Sequence, residues 1–201
     1  MTVLLQINAS ISHHDGQSSR LANQFVAAFK ARNPEAEIVL RDVAAADAVP
    51  HLDGQRFGAF IARPEDRTAE QQAVVAYSDV LIDEIRQADV IVLGLPMYNF
   101  GLPSQLKAYF DHIARAGVTF KYTEKGPVGL LGGKKVYVFA ARGGKYAGTP
   151  MDTQTGYVRD FLRFLGIDDV EFIYAEGLAM GAAIKETSLA NAAAEIARLA
   201  A

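Results

Sequence analysis

One stretch limits what this chain can fold into more than any other: Asp89-Val90-Ile91-Val92-Leu93-Gly94-Leu95-Pro96, followed by Met97-Tyr98-Asn99-Phe100-Gly101. An unbroken apolar run led by β-branched residues predicts a strand buried on both faces, as in a parallel sheet covered by helices. Proline cannot donate to a sheet ladder, so the chain is expected to leave the sheet at Pro96. Apolar and aromatic residues then occupy the loop before Leu102, Pro103 and Ser104 open a helix. In open α/β sheets, the carboxyl ends of the strands are where ligands bind. The loop therefore reads either as the lip of a site for a flat, partly polar ligand or as a buried corner plugged by aromatics.

The rest of the chain alternates strands with helices. Val3–Ile7 predicts a first strand, and a polar loop from Asn8 to Ser19 leads into a helix from about Ser19 to Arg32, with Leu21, Phe25, Val26 and Phe29 at helical spacing. Asn33-Pro34 stops that helix, and Ile38–Leu40 predicts the second strand. From Asp42 to Arg67 the pattern dissolves around Leu52, Phe57, Phe60 and Ile61, predicting a long excursion with one short helix. Thr68 and Gln71 form a capping-box pattern at the start of the longest helix, which delivers the chain to the central strand. Beyond the central loop come a helix ending at Gly117, a small hairpin-like insertion over 118–133, and a fourth strand from Val136 to Ala141. A helix over Met151–Leu165, a fifth strand over Val170–Tyr174 and an Ala-rich final helix complete the chain.

This alternation predicts one α/β domain over residues 1–201, a doubly wound five-stranded parallel sheet with helices on both faces. Right-handed crossovers make the flavodoxin-like order 2-1-3-4-5 the expected topology. Half of the 201 residues are hydrophobic, enough for a full core. No apolar run is long enough to span a bilayer, and the amino terminus lacks a signal-peptide pattern, so the expected location is cytoplasmic with no membrane partner. With no cysteine, thiol nucleophiles, iron–sulfur clusters and thiolate metal sites are excluded. A net charge of −3 without a basic stripe argues against nucleic acid.

In the expected order, three loops share one sheet edge. Ser10, Gln17, Ser18 and Ser19 stand just before a helix, whose first amides carry partial positive charge, so hydroxyls and amides together could hold a phosphate without a lysine. Ordinary helix capping by Ser18 or Ser19 is the competing explanation. The loop is neither a dinucleotide fingerprint nor a Walker A loop, and the adjacent His13 and His14 lack a carboxylate at ligand spacing, so no metal is expected. Gly143-Gly144 ends the fourth strand without side chains; it could expose bare amides and adopt unusual dihedrals, or be a simple turn. A phosphate cradle, an aromatic lip and a bare-amide shelf on one edge suit a mononucleotide with a planar polar ring, and flavin mononucleotide fits best.

With these residues assembled, the chain resembles the FMN-dependent NADH:quinone oxidoreductases of the bacterial azoreductase family. The resemblance lies in Pro96-Met97-Tyr98-Asn99-Phe100, Gln105-Leu106-Lys107, Ala114-Arg115-Ala116-Gly117-Val118-Thr119-Phe120, Arg142-Gly143-Gly144 and Ala175-Glu176-Gly177, and it spans nearly the whole chain. It implies a flavodoxin-like homodimer with one FMN per subunit and active sites at the dimer interface. Ser10, Gly16, Gln17 and Ser18 would hold the phosphate and ribityl chain. Pro96, Met97, Tyr98, Asn99 and Phe100 would contact the isoalloxazine, and Ala141, Arg142, Gly143 and Gly144 its pyrimidine edge. Substrate walls would come from Phe100, Phe120, Phe164 and Phe172, with Phe60 supplied by the partner. The family often has serine where this chain has Gly16 and Ala141, and a histidine can occur where it has Tyr146. Tyr146 is thus the candidate proton donor, although a phenol lacks the neutral titration of imidazole.

The resemblance implies a ping-pong cycle of two-electron hydride transfer through FMN N5, from NADH or NADPH to quinones, azo dyes or nitroaromatics. Arg142 and Lys145 are the cations placed to meet a 2′-phosphate, although such residues are more often simply solvated. A flavodoxin-type electron carrier without a substrate pocket is the main rival, and a flavin-free interaction protein is a third reading. The mild net charge and the long excursion both favour the enzyme.

Overall fold

The structure, a computed structural model, describes residues 1–45 and 49–200; residues 46–48 of the Asp42–Arg67 excursion lie outside them. Among the described residues, seven strands and six α-helices follow in the order β1 (Val3–Asn8), α1 (Gln17–Arg32), β2 (Glu37–Asp42), α2 (Gly54–Ile61), α3 (Ala69–Gln87), β3 (Val90–Pro96), α4 (Ser104–Ile113), β4 (Phe120–Thr123), β5 (Gly126–Gly129), β6 (Lys135–Ala141), α5 (Thr155–Phe164), β7 (Asp169–Ala175) and α6 (Ala182–Leu199). The main sheet is parallel and five-stranded, ordered β2-β1-β3-β6-β7. In chain count this is 2-1-3-6-7, which differs from the expected 2-1-3-4-5 in the numbers of its last two strands. The antiparallel pair β4-β5, the insertion foreseen over 118–133, takes two numbers without joining the main sheet.

Alternation along β3 explains why the central run had to be apolar throughout. Ile91, Leu93 and Leu95 point into a core shared with Leu81, Ile82 and Ile85 of α3, Leu106 and Phe110 of α4 and Val158 of α5. Val92 points the other way, into a core with Leu21 and Phe25 of α1 and Ala192 and Ile196 of α6. Neither face of the strand meets water, so no polar residue is tolerated. Pro96 is the last residue of the strand and pairs with Ala141; the next amide, Met97 N–H, closes the ladder on the Ala141 carbonyl at 3.2 Å.

The capping box at α3 forms as the sequence predicts. The Thr68 hydroxyl accepts from Gln71 N–H and the Gln71 side chain accepts from Thr68 N–H. Two other boundaries differ in a way that matters. α1 starts at Gln17, so Ser18 and Ser19 lie inside its first turn, and its N-cap is Gly16, which offers no side-chain cap. α5 starts at Thr155, and residues 149–154 form turns that bring Gln154 against the central loop.

Candidate active site

At the carboxyl edge of the sheet the loops after β1, β3 and β6 converge. The first turn of α1 sits directly on β3 because Gly94 has no side chain: a Cβ there would lie 3.3 Å from both the Ser18 carbonyl oxygen and Asn8 Oδ1. Ser18 and Ser19 are fully buried, and neither Oγ has a hydrogen-bond partner among the described residues. Capping by these serines, the bland expectation, is therefore not what the structure shows. Buried hydroxyls without partners, beside amides that no side chain caps, are costly unless a ligand completes them.

The central loop is a tight turn. Tyr98 and Gly101 exchange backbone hydrogen bonds (Tyr98 N to Gly101 O, 3.3 Å; Gly101 N to Tyr98 O, 2.9 Å), and Asn99 and Phe100 between them have φ of 49° and 61°. The Tyr98 hydroxyl bonds Ser10 Oγ at 3.2 Å and accepts from Ile11 N–H at 3.2 Å, which ties this turn to the serine loop. Phe100 remains 45% exposed, and its ring meets Tyr146 edge-on with centroids 5.4 Å apart. These two rings, one from the central loop and one from the loop after β6, form a lip.

Gly143 and Gly144 end β6 beside this lip without unusual dihedrals: neither has positive φ. What glycine provides at 144 is room, since a Cβ would lie 2.5 Å from the Tyr146 ring and hydroxyl. Arg142, the neighbour read as a possible solvent-facing cation, is instead almost wholly buried at 1% exposure. Its guanidinium bonds Asp152 (2.8 Å), Glu176 (3.1 Å) and the Thr155 hydroxyl (3.2 Å), and lies 5.1 Å above the Tyr174 ring. Only its main chain borders the shelf, so it is not free to meet a 2′-phosphate. Burial alone would raise the Asp152 carboxyl, but Arg142 and Thr155 outweigh it and hold it below its ordinary range. Glu176 Oε1 also accepts from the Tyr146 and Ala147 amides, at 2.9 Å each. The ion-pair cluster thus fixes the segment that carries Tyr146.

The other expected wall residues lie elsewhere in the same chain. Phe120 and Phe164 pack together with ring centroids 4.3 Å apart. Phe164 ends α5, whose first turn touches the central loop, so about 15 Å of helix separates it from the lip. Phe60 packs edge-on against His112, 5.8 Å away, and under the Arg115 guanidinium, 5.1 Å away, near the far end of α4. Phe172 stacks on Tyr174 at 5.7 Å and lies under Arg159 at 4.9 Å. One chain therefore gathers Ser10, Gly16, Gln17, Ser18, Pro96–Phe100, Ala141–Gly144 and Tyr146, but not Phe60, Phe120, Phe164 and Phe172. Sequence reasoning missed Gln154, whose Nε2 donates to the Pro96 and Gly101 carbonyls at 2.9 Å each, and Glu176.

Residues 2–200 match the family described as Flavodoxin-like fold. The chain belongs to this family. Among its relatives, an FMN-dependent NADH:quinone oxidoreductase of Cellvibrio japonicus is 61% identical over 196 residues, covering 98% of this chain and 97% of that protein. FMN-dependent NADH:quinone oxidoreductase 6 of Burkholderia lata is 57% identical over 197 residues, covering 98% and 99%. Two solved structures superpose closely at 30% identity. The azoreductase from Bacillus anthracis str. Sterne gives a TM-score of 0.91 with 100% and 99% of the two chains covered. The FMN-dependent NADH-azoreductase from Bacillus anthracis str. Ames Ancestor, in complex with FMN, gives 0.90 with 100% and 98% covered. For a member of the flavodoxin-like family, the carboxyl edge just described is also where the general rule for open α/β sheets puts a ligand.

Proposed function

We propose that this chain is an FMN-dependent NADH:quinone oxidoreductase that also reduces azo compounds, with its site at the carboxyl edge of β1, β3 and β6. The observation that carries the site is the pair of buried, unpartnered serine hydroxyls at the uncapped start of α1, on the same sheet edge as the Phe100–Tyr146 lip. Relatives named for this activity over nearly their whole length support the reaction.

The residues fit FMN. Ser10, Gly16, Gln17, Ser18 and the first amides of α1 would hold the phosphate, where helix polarity favours an anion. The Met97–Phe100 turn and the Gly143-Gly144 shelf would border the ring. Bound there, FMN supplies the two-electron chemistry, taking hydride from NADH and giving it to a quinone or azo group. The chain's own work is positional. Phe100 and Tyr146 would border the place where donor and acceptor lie and exclude water from it, and main-chain amides at the shelf would stabilise negative charge on the ring edge. The Tyr146 hydroxyl donates a hydrogen bond to the acceptor's oxygen or nitrogen, and water replaces any proton it gives up.

Steady-state oxidation of NADH with a quinone should give parallel double-reciprocal lines, as a ping-pong enzyme requires. A protein that holds FMN but does not oxidise NADH with quinone would be the electron carrier instead. Gly144→Val should leave the chain folded while weakening FMN binding at least about tenfold, because the new methyls displace Tyr146 and cover the shelf. FMN titration of the purified variant checks this, and unchanged affinity would make Gly143-Gly144 a turn only.

We also infer a homodimer in which the excursion of one subunit roofs the site of the other. Phe57 and Ile61 on α2 are 53% and 70% exposed, an apolar surface that two-fold pairing would bury on both subunits. That pairing would also bring the partner's Phe60 to the lip, where Phe100 is 45% exposed in the single chain. Ile61→Asp, a change on the surface, should give monomers that retain FMN and lose most quinone turnover. Wild-type activity should fall on dilution, whereas a fully active monomer in sedimentation would remove the shared site. Among the described residues no helix is long and apolar enough to cross a membrane, and NADH as donor fits a cytoplasmic enzyme.

A further inference from the structure

Asn99 and Phe100 are consecutive residues in the left-handed region, which side chains other than Asn and Asp strongly avoid. With Tyr98 and Gly101 bonded to each other in both directions, they form the centre of a type I′ turn, which ordinarily has Asn-Gly there. Asn99 suits its place. Phe100 does not, yet its ring is one half of the lip with Tyr146. A strained residue persists only where its surroundings hold it.

Those surroundings come from the segment before α5. Gln154 is 0% exposed, and its Nε2 donates to the carbonyls on either side of the turn, Pro96 and Gly101, at 2.9 Å each. The neighbouring Thr153 hydroxyl donates to the carbonyl of Phe100 itself. Gln154 occupies the N-cap of α5 but makes no cap bond; the Asp152 carboxylate accepts from Thr155 N–H at 3.1 Å instead. Gln154 Oε1 is buried without a partner among the described residues, a cost that helix formation does not recover. The side chain is thus directed away from its own helix and toward the turn.

We propose that Gln154 is a positioning residue, a staple that holds Phe100 in its strained conformation and so sets the ring that faces flavin and acceptor. The proposal rests on the reading that the Met97–Phe100 turn borders FMN. Without the staple, Phe100 relaxes toward negative φ and its ring leaves Tyr146, while α5 keeps its Asp152 cap.

The test is a double-mutant cycle on the full chain. Apoprotein is titrated with FMN by fluorescence quenching for wild type, Gln154→Leu, Phe100→Gly and the double variant, and quinone KM and kcat are measured on the reconstituted proteins. In the Phe100 background, Gln154→Leu should weaken FMN binding about tenfold and raise quinone KM more than it lowers kcat. In the Phe100→Gly background the same change should cost less than about twofold, because an Asn-Gly turn holds itself. Equal losses in both backgrounds would overturn the proposal and leave Gln154 as a support of the fold. Gln154→Met repeats the cycle if the leucine variant does not fold, and failure of both variants to fold in both backgrounds has the same overturning meaning. If Phe100→Gly alone changes neither FMN affinity nor quinone KM, the turn does not border the flavin, and it is the site reading that fails.

Discussion

Ser18→Asp should expel FMN, weakening its binding about a thousandfold. The serine lies inside the first turn of α1, fully buried, with its hydroxyl lacking any partner among the described residues. A carboxylate in that place would meet a phosphate carrying up to two negative charges. Two like charges about 4 Å apart repel by roughly 4 kcal/mol at the effective dielectric of a protein surface, which is about three powers of ten in affinity. The favourable end of the helix offsets about 1 kcal/mol of this, and repulsion from the second phosphate charge restores at least as much. Ser18→Ala separates charge from packing: it removes one charge-assisted hydrogen bond and should weaken binding about tenfold. FMN titration with a thermal melt of each apoprotein checks both. An aspartate variant that folds and binds FMN as wild type does would place the phosphate elsewhere.

The second large effect is on stability. Arg142→Ala should destabilise the protein by about 3–5 kcal/mol, because it empties the space of a fully buried side chain and leaves the partly buried Asp152 and Glu176 carboxylates without their cation. For a chain of this size, that loss corresponds to a fall in Tm of roughly 6–20 °C. The deficit should depend on pH. In the wild type Asp152 is held below its ordinary carboxyl range, so the stability it contributes is present above about pH 4 and is lost as pH falls through its lower folded value. Without Arg142 the strongest of the interactions that hold this carboxyl low is gone, and it takes up a proton at higher pH than in the wild type. The gap in Tm between variant and wild type should therefore narrow below about pH 4. Melts across pH 3 to 7 measure it, and a gap that stays constant or widens in acid would show that the pair does not carry this stability.

Much of the scaffold was legible because the deciding signals are local. The run Val90–Leu95 could only be a strand covered on both faces, and Thr68 with Gln71 marked the start of α3. The three site loops were legible because they follow strands whose order the crossovers constrain. Other features depended on direction, which residue identity does not encode. Phe120 and Phe164 are expected in the substrate walls, but nothing local says that they pack together at the far end of α5 from the lip. Arg142 looked like a surface cation, since its partners Asp152 and Glu176 lie 10 and 34 residues away in sequence. Gln154, between two threonines, reads as an ordinary helix start. Its role appears only once the turn it reaches is in place. Gly144 suggests both dihedral freedom and open space; its φ is not positive, and the missing side chain makes room for Tyr146.

The central claim is that this chain passes electron pairs from NADH through FMN to a quinone at the edge lined by Ser18, Phe100 and Tyr146. Its most direct test is anaerobic mixing of the FMN-loaded protein, first with NADH and then with a quinone, while the flavin absorbance is followed. The account predicts that one equivalent of NADH bleaches the flavin without a long-lived one-electron species, and that one equivalent of quinone restores it. Flavin that stays oxidised with NADH, or a reduced form that quinone does not reoxidise, would contradict it.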